Sequence, residues 1–556
     1  MFRCFYEKIN MDFKNKKVVI MGLGLYAKGS GISAAKFFIS RGAKVVITDL
    51  KSKKELSGQI ESVLKFYAAV KKNSPPKADP PLAEKFQIHK PVFVLGRHRE
   101  ADFKTADIVM KNPAVRAGSP FLRVARRHGA KILTDVSLFF RICACPIIGI
   151  TGTRGKSTTT TLVYEILRSA GWNAYLGGNI QISPLTFLDK VENNILPLIL
   201  PFRVGEEWKG GEGLSAVDKT PSRSPLMRGR KLVVLELSSW MLESTGEAKI
   251  SPRAALITNM MPDHLNTYAG MSDYIAAKKN IFRFQRAGDI AVYNYDNEIT
   301  RKMGEEARPP KFCEAKLWRA RAKRFWFGKT IKGDGVFIKN GAIFFRRGGR
   351  RQKICSISDI KLAGEHNLYN IMAAAALTAA VGVAPEAIRK AIKNFRGIPN
   401  RLELIREHRG IKFYNDTTAT TPDAVIAALR AIFPPLIKGR RGGVEKKIRG
   451  KIILIAGGSD KNLEFAEMAR ELKKQKVRLI LFAGKATEKL IVELDKIHYH
   501  AESQPVRDMK SAVGLARSLA VKGDIILLSP GAASFGLFQN EFDRGRQFVK
   551  MIKRLR

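Results

Sequence analysis

An α/β protein of three successive segments, each built around a mostly parallel β-sheet, is predicted by three observations. The chain has 556 residues, room for three or four domains at roughly 100–200 residues each. Short β-branched apolar runs alternate with longer helix-like stretches, a pattern that yields a mostly parallel sheet covered by helices. Most of the runs stop at glycine- or serine-rich turns, at the carboxyl ends of strands, where open α/β sheets bind ligands. Apolar residues make up 45% of the chain, ordinary for a protein that buries a sizeable core.

The first segment, residues 1–144, opens with a strand-like run at 17–25 (KVVIMGLGL). A helix-like stretch at 31–42 and a second strand at 43–50 (AKVVITDL) complete a βαβ unit. Gly22 and Gly24 make a G-x-G turn, and Asp49 closes the second strand. That placement suits a nucleotide group at the turn with an acid near a ribose or polar headgroup, although the full G-x-G-x-x-G fingerprint is absent. A Rossmann-like first domain is therefore expected. Residues 51–90 are polar, lysine-rich and proline-bearing, and read as loop or mobile helix. More α/β pattern follows at 106–115 and 130–140.

The second segment, residues 145–396, starts with the buried-strand pattern PIIGI at 146–150, which runs straight into TGTRGKSTTT. A phosphate-binding P-loop usually reads G-x-x-x-x-G-K followed by Ser or Thr. Here the interval from Gly149 is one residue too long, yet every physical part is present. Gly152, Thr153 and Gly155 lie where backbone N–H groups approach phosphate. Lys156 can meet the β and γ oxygens, and Ser157 or Thr158 can hold Mg²⁺. A helix then begins, with its positive end toward the anion. Strand and helix patterns continue to about 396, so a central P-loop ATPase domain with a mostly parallel sheet is expected. The third segment, residues 397–556, repeats the strand-to-turn pattern at 411–420, 451–460, 477–484 and 524–534 and is expected to be a second Rossmann-like domain. Two stretches rich in Pro, Gly, Lys and Arg, at about 196–230 and 434–450, share the related fragments SPLMRGR and PLIKGRR. They read as solvent-exposed insertions, which surface loops tolerate at small entropic cost.

Composition narrows the class. Lys and Arg number 98 against 50 acidic residues, a net charge of +48. Such a field attracts polyanions, so a nucleic-acid-associated P-loop NTPase is carried as an alternative. The excess is spread along the chain, with peaks at 346–353 and 438–451 that lack interleaved aromatics, and it reads as a solvated face. The five cysteines are too few and scattered for a disulfide framework, and read as reduced thiols. His98, His128, His408, His498 and His500 have no motif around them and are read as structural. No apolar run approaches the roughly 18–20 residues of a membrane span. The basic N-terminus lacks the apolar core of a signal peptide, so a cytoplasmic protein is expected.

The loop TGTRGKST resembles the ATP loop of the Mur ligases, and the likeness continues along the chain. GGNI at 177–180, LELSSWMLE at 235–243, NMMPDHLNTY at 259–268, YIAAKKNIF at 274–282, GEHNLYNIMAA at 364–374 and PNRLE at 399–403 resemble family segments in order and interval. Met241 stands where Gln is usual, Asn266 where Asp is usual, and residues 26–31 (YAKGSG) differ from the family's usual turn. In the third segment YNDTTATTPDA, AGGSDKNLEF and LSPGAASFGLFQNEFDRG resemble the members that add D-glutamate, with Gly536 replacing an aspartate.

The resemblance implies an ATP-dependent amide-forming ligase with UDP-N-acetylmuramoyl-L-alanine and D-glutamate as substrates, acting through an acyl phosphate in peptidoglycan precursor synthesis. It implies that Lys156, Ser157 and the neighbouring loop residues bind ATP together with Asn367, Arg401 and Asp416. Gly24, Leu25, Asp49 and Asn179 would hold the uridine-diphosphate substrate. Thr420, Lys461, Ser534 and Phe542 would hold D-glutamate. Ser157, Glu236, His264 and a carbamylated Lys278 would hold Mg²⁺, two ions in all, and Lys156, His264 and Lys278 would be catalytic. A monomer with no specific nucleic-acid partner is expected. A family member using another amino acid, or an inactive relative acting as a scaffold, is the alternative within the same resemblance.

Overall fold

The computed structural model describes residues 12–24, 26, 28–72, 88–113, 115, 118–180, 182–192, 231–263, 268–306, 322–362, 364–432, 450–460 and 463–555. The site candidates Leu25, His264 and Lys461 lie outside the described residues. So do the insertion expected at 196–230 and all but Gly450 of the one at 434–450. The chain divides into two compact units, Met1–Asp359 with Tyr369–Lys393, and Ile360–Leu368 with Asn394–Arg556. The first holds two sheets and the second holds one.

The first sheet contains β1 (Lys17–Met21), β2 (Lys44–Asp49), β3 (Val92–Leu95), β4 (Ile108–Lys111) and β5 (Lys131–Leu133), in the order β3-β2-β1-β4-β5. Every neighbouring pair is parallel. The strand order reverses between β1 and β4, which places the ligand crevice of such a sheet outside their carboxyl ends. The Gly22–Leu23–Gly24 turn stands there, and Asn112, just past β4, donates from Nδ2 to Gly22 O at 3.3 Å. Helix α1 (Ser30–Ile39) follows the turn, and α2 (Ser57–Lys72) fills much of the polar stretch at 51–90. After α3 (Glu100–Lys104) and α4 (Pro120–Arg127), helix α5 (Asp135–Ile142) is closed by a capping box. Thr134 Oγ1 accepts from Ser137 N at 3.1 Å and Ser137 Oγ accepts from Thr134 N at 2.9 Å, satisfying two amides that a helix start leaves unpaired.

The second sheet has nine strands in the order β14-β13-β12-β11-β10-β9-β6-β8-β7. They are β6 (Ile147–Thr151), β7 (Asn173–Gly178), β8 (Lys231–Glu236), β9 (Ala254–Ile257), β10 (Ile290–Asn294), β11 (Lys323–Phe327), β12 (Gly335–Lys339), β13 (Ala342–Arg347) and β14 (Arg350–Ser356). The helices among them are α6 (Lys156–Ser169), α7 (Leu188–Glu192), α8 (Ser239–Glu247), α9 (Met271–Arg283) and α10 (Glu298–Glu306). Strands β6, β9 and β10 are buried along their whole length, as in a parallel sheet covered on both faces. The strand–helix alternation expected up to about 396 is interrupted. Strands β12, β13 and β14 form an antiparallel extension to the sheet edge. Glycines at 333, 335, 341, 348 and 349 punctuate that stretch with tight turns too short to hold crossover helices. One apolar core unites Val18, Ile20 and Phe38 of the first sheet's layer with Val233, Leu235 and Leu242 of the second's. Helices α11 (Glu365–Ala380) and α12 (Pro385–Asn394) follow.

The third sheet has the order β15-β16-β19-β17-β18, from β15 (Glu403–His408), β16 (Ile411–Asn415), β17 (Ile452–Gly457), β18 (Arg478–Phe482) and β19 (Ile525–Leu528). Only the edge pair β15–β16 is antiparallel. Alternation decides which face each residue serves. Ile452, Leu454 and Ala456 join one core with α13 (Pro422–Ile432), α14 (Ala466–Lys474) and α15 (Lys485–Asp495). Ile453 and Ile455 join another with α16 (Met509–Leu519) and α17 (Glu541–Lys553). Among the described residues no helix is long and apolar enough to cross a membrane.

Candidate active site

Strand β6 ends in the loop that the sequence marks for phosphate. Gly155 caps helix α6 with φ +80°, and a Cβ there would lie 2.1 Å from Asn370 Oδ1, so only glycine fits. The loop is pinned from the side by the segment after β9. Thr153 N donates to Asn259 O at 2.9 Å, Arg154 N donates to Asn259 Oδ1 at 2.9 Å, and Thr258 Oγ1 donates to Arg154 O at 2.6 Å. The hydrogen bond from Thr159 N to Gly155 O is the first of the helix. First-turn amides of a helix lack intrahelical partners, which is what makes a helix start suited to an anion. Lys156 Nζ bends back over the loop, donating to Gly152 O at 3.1 Å and Thr153 O at 2.9 Å. Ser157 is half-buried on the first turn, and Thr158 is buried.

Two further groups converge on this loop. Glu236, at the end of β8, stands beside Ile150 of β6 and is 1% exposed. Its Oε1 accepts from Asn179 Nδ2 at 2.8 Å, and Asn179 N donates to Glu236 O at 2.9 Å. Its buried Oε2 has no hydrogen-bond partner among the described residues. Lys278 is also 1% exposed, on the buried face of α9. Its Nζ lies 3.4 Å from Thr151 Oγ1 and 4.8 Å from the centre of the Tyr274 ring. Burial, and then the neighbouring charge of Lys156, push its amine down to about 7, against the pull of Asp263 and Glu236. A solvated helix lysine would show none of this.

A buried carboxylate oxygen without a hydrogen-bond donor suits a hard cation, because burying it alone is costly. A lysine that is half neutral near pH 7 suits reaction with CO₂. The residues present therefore fit both magnesium and a carbamylated lysine. No group of three His, Cys, Asp or Glu among the described residues could hold a metal. The expected set instead mixes Glu236 with a hydroxyl and a modified lysine, while His264 is outside the described residues. Sequence reading gave no role to Asp263, Asn259 or Asn370. Asp263 and Asn259 belong to the NMMPDHLNTY segment itself, so the signal was present in the motif.

In the crevice of the first sheet the Asp49 carboxylate accepts from Leu23 N at 2.8 Å and from Lys51 N at 3.0 Å, so it shapes the Gly22–Gly24 turn directly. In the second unit, Asp416 follows β16 and is 4% exposed. It accepts from Ser529 Oγ at 2.7 Å and Leu402 N at 3.1 Å, and burial pushes it up to about 7 despite the nearby Arg401. Ser534 is buried in the turn after β19, Thr420 and Phe542 are half-buried, and Asn367 is half-buried near the start of α11. Arg401 is exposed.

Known proteins resemble this chain over the same regions. Residues 212–378 match the Mur ligase middle domain, and residues 400–531 match the Mur ligase glutamate ligase domain. The chain belongs to the Mur ligase family. A protein of Roseiflexus sp. named UDP-N-acetylmuramoylalanine--D-glutamate ligase is 37% identical over 98% of this chain and 99% of its own length. One of the same name from Alkaliphilus metalliredigens is 31% identical over 98% of this chain and all of its own length. Among solved structures, UDP-N-acetylmuramate-alanine ligase from Thermotoga maritima shares the fold, with a TM-score of 0.51 and 18% identity over 97% of this chain and 99% of its own.

Proposed function

We propose that this chain is an ATP-dependent ligase that joins D-glutamate to UDP-N-acetylmuramoyl-L-alanine in peptidoglycan precursor synthesis in the cytoplasm, and that its three sheets mark domains at 1–144, 145–396 and 397–556. The observation that carries the reading is the convergence of the Lys156 loop, the half-free Glu236 carboxylate and the buried Lys278. The names and near-complete coverage of the relatives support the choice of substrates.

A carboxylate is a poor electrophile, so amide formation must first activate it. The substrate carboxylate oxygen attacks the γ-phosphorus of ATP, the β–γ bridge breaks and ADP leaves. The amine of D-glutamate then adds to the acyl carbon, inorganic phosphate leaves and the amine loses its proton. Such phosphoryl transfer needs positioning and charge neutralisation more than covalent help. Lys156 supplies a fixed charge at the β and γ oxygens once it is released from Gly152 O and Thr153 O. Glu236 and Ser157 would hold magnesium, with His264 and carbamylated Lys278 on a second ion. Magnesium, when bound, offsets the phosphate charge. Asn179 keeps the Glu236 carboxylate aimed. Asn367, Arg401 and Asp416 would hold adenosine, Thr420, Lys461, Ser534 and Phe542 D-glutamate, and Gly24, Leu25, Asp49 and Asn179 the nucleotide-linked precursor.

The test is phosphate release from ATP with UDP-N-acetylmuramoyl-L-alanine, with and without D-glutamate. Release should require both, and Lys156→Ala should lower kcat by about 10²–10³, the scale on which losing one charge-stabilising group acts. Full turnover by Lys156→Ala would remove the loop from the mechanism. Equal release with a different amino acid would move the chain elsewhere in its family.

A further inference from the structure

Helix α17 carries an arginine with no part in the chemistry above. Arg544 is completely buried. Its Nε donates to Thr417 Oγ1 at 3.1 Å, Nη2 to Thr417 O at 2.9 Å and Nη1 to Ala532 O at 3.3 Å. The Thr417 hydroxyl in turn donates to Glu541 O at 2.7 Å. None of these acceptors is a carboxylate. Burial pushes the guanidinium down to about 10, with the Glu541 charge opposing, so it stays charged at neutral pH. Burying such a group costs far more than burying an apolar side chain of the same volume. Packing alone does not account for it. A planar fork of donors, however, can hold two separate backbone segments at once, which no aliphatic side chain can do.

Those two segments are the turn after β16, with Asp416 and Thr420, and the turn after β19, with Ser534. They also meet directly, since Gly531 N donates to Ala419 O at 2.8 Å. The next residue on α17 reaches a third segment. A Cβ on Gly545 would lie 2.6 Å from Thr417 Cγ2 and 2.7 Å from Asn400 Oδ1, so the helix approaches this closely only with glycine. Asn400 precedes Arg401. It accepts from Asn415 Nδ2 through Oδ1 at 2.9 Å, and from Thr418 Oγ1 through its carbonyl at 2.9 Å.

The geometry points to Arg544 as a positioning residue that fixes the spacing between the 416–421 and 529–534 turns, so that D-glutamate groups on one stay in register with nucleotide groups on the other. Its consequence for turnover rests on the proposed function, whereas its consequence for the two turns does not. Arg544→Lys keeps the charge and removes the fork. In the full chain, amide hydrogen exchange at 416–421 and 531–534 should become at least tenfold faster in this variant, with β17 and β18 unchanged. KM for D-glutamate should rise at least tenfold while KM for UDP-N-acetylmuramoyl-L-alanine stays constant. Thr417→Ser, which keeps the hydroxyl, should behave as wild type. Thr417→Val should loosen the same turns, and it provides the measurement if Arg544→Lys fails to fold. Unchanged exchange at either turn, or a fall in kcat alone with both KM values constant, would overturn the proposal. Wild type that does not consume D-glutamate would defeat the proposed function, and the exchange result would still decide for or against the clamp.

Discussion

Asp416 shows how one residue couples stability to chemistry. Its carboxyl is pushed up to about 7 by burial, against about 3.9 in an unfolded chain. Between those values the folded state keeps a proton that the unfolded state has released. Folding therefore takes up a proton, and the stability contributed is full below pH 4 and lost as pH rises through 7. That difference corresponds to about 4 kcal/mol. Asp416→Asn keeps both hydrogen bonds, because the Ser529 hydroxyl can accept instead of donate. The variant should therefore gain on wild type in Tm progressively from pH 4 to pH 7. A constant Tm difference across that range would show that Asp416 stays ionised. The same scale explains what a motif could reveal of Lys278 and what it could not. Its place in YIAAKKNIF is visible in sequence. Its burial beside Thr151 and the neighbouring charge of Lys156, which set its chemistry, involve residues more than a hundred positions away in the chain.

Among the elements, the antiparallel extension β12–β14 departs most from the sequence reading. The basic peak at 346–353 reads as a solvated face without interleaved aromatics. The register instead sets Phe337 opposite Phe344, with the guanidinium carbons of Arg346 and Arg351 at 5.4 and 5.9 Å from the Phe337 ring. Pairing between strands supplied the aromatics that the linear string lacked. It also sets Arg346 opposite Arg351 and Arg347 opposite Arg350. Like charges directly opposite are unfavourable, whereas opposite charges are worth roughly 0.2–1 kcal/mol. Arg351→Glu should raise Tm at 50 mM salt, with most of the gain gone at 500 mM as screening sets in. A Tm that falls, or a gain that survives high salt, would contradict this view. Basic residues on β14 have a second effect. They blunt the edge strand of a nine-stranded sheet against pairing with another chain.

For the whole molecule, the net charge of +48 is the property least explained by the ligase chemistry. Spread as it is, it should bind single-stranded homopolymers non-specifically at low salt and release them steeply as salt rises. Phosphate release should not respond to the nucleic acid. Stimulation by it would instead favour the nucleic-acid-associated NTPase. The α/β class, the βαβ opening and the phosphate loop were legible in the linear chain, because continuous β-branched apolar runs and glycine turns are local properties of a backbone. The convergence of Glu236 and Lys278 on the loop, the Asp49 brace of the first turn and the Arg544 clamp were not. Each joins residues brought together only by strand order and helix packing, and desolvation, which sets their charge states, does not exist until the core closes. Sequence alone thus determined which chemical groups this protein owns and which local turns present them. The tertiary structure decided which groups meet, and which of them lose water.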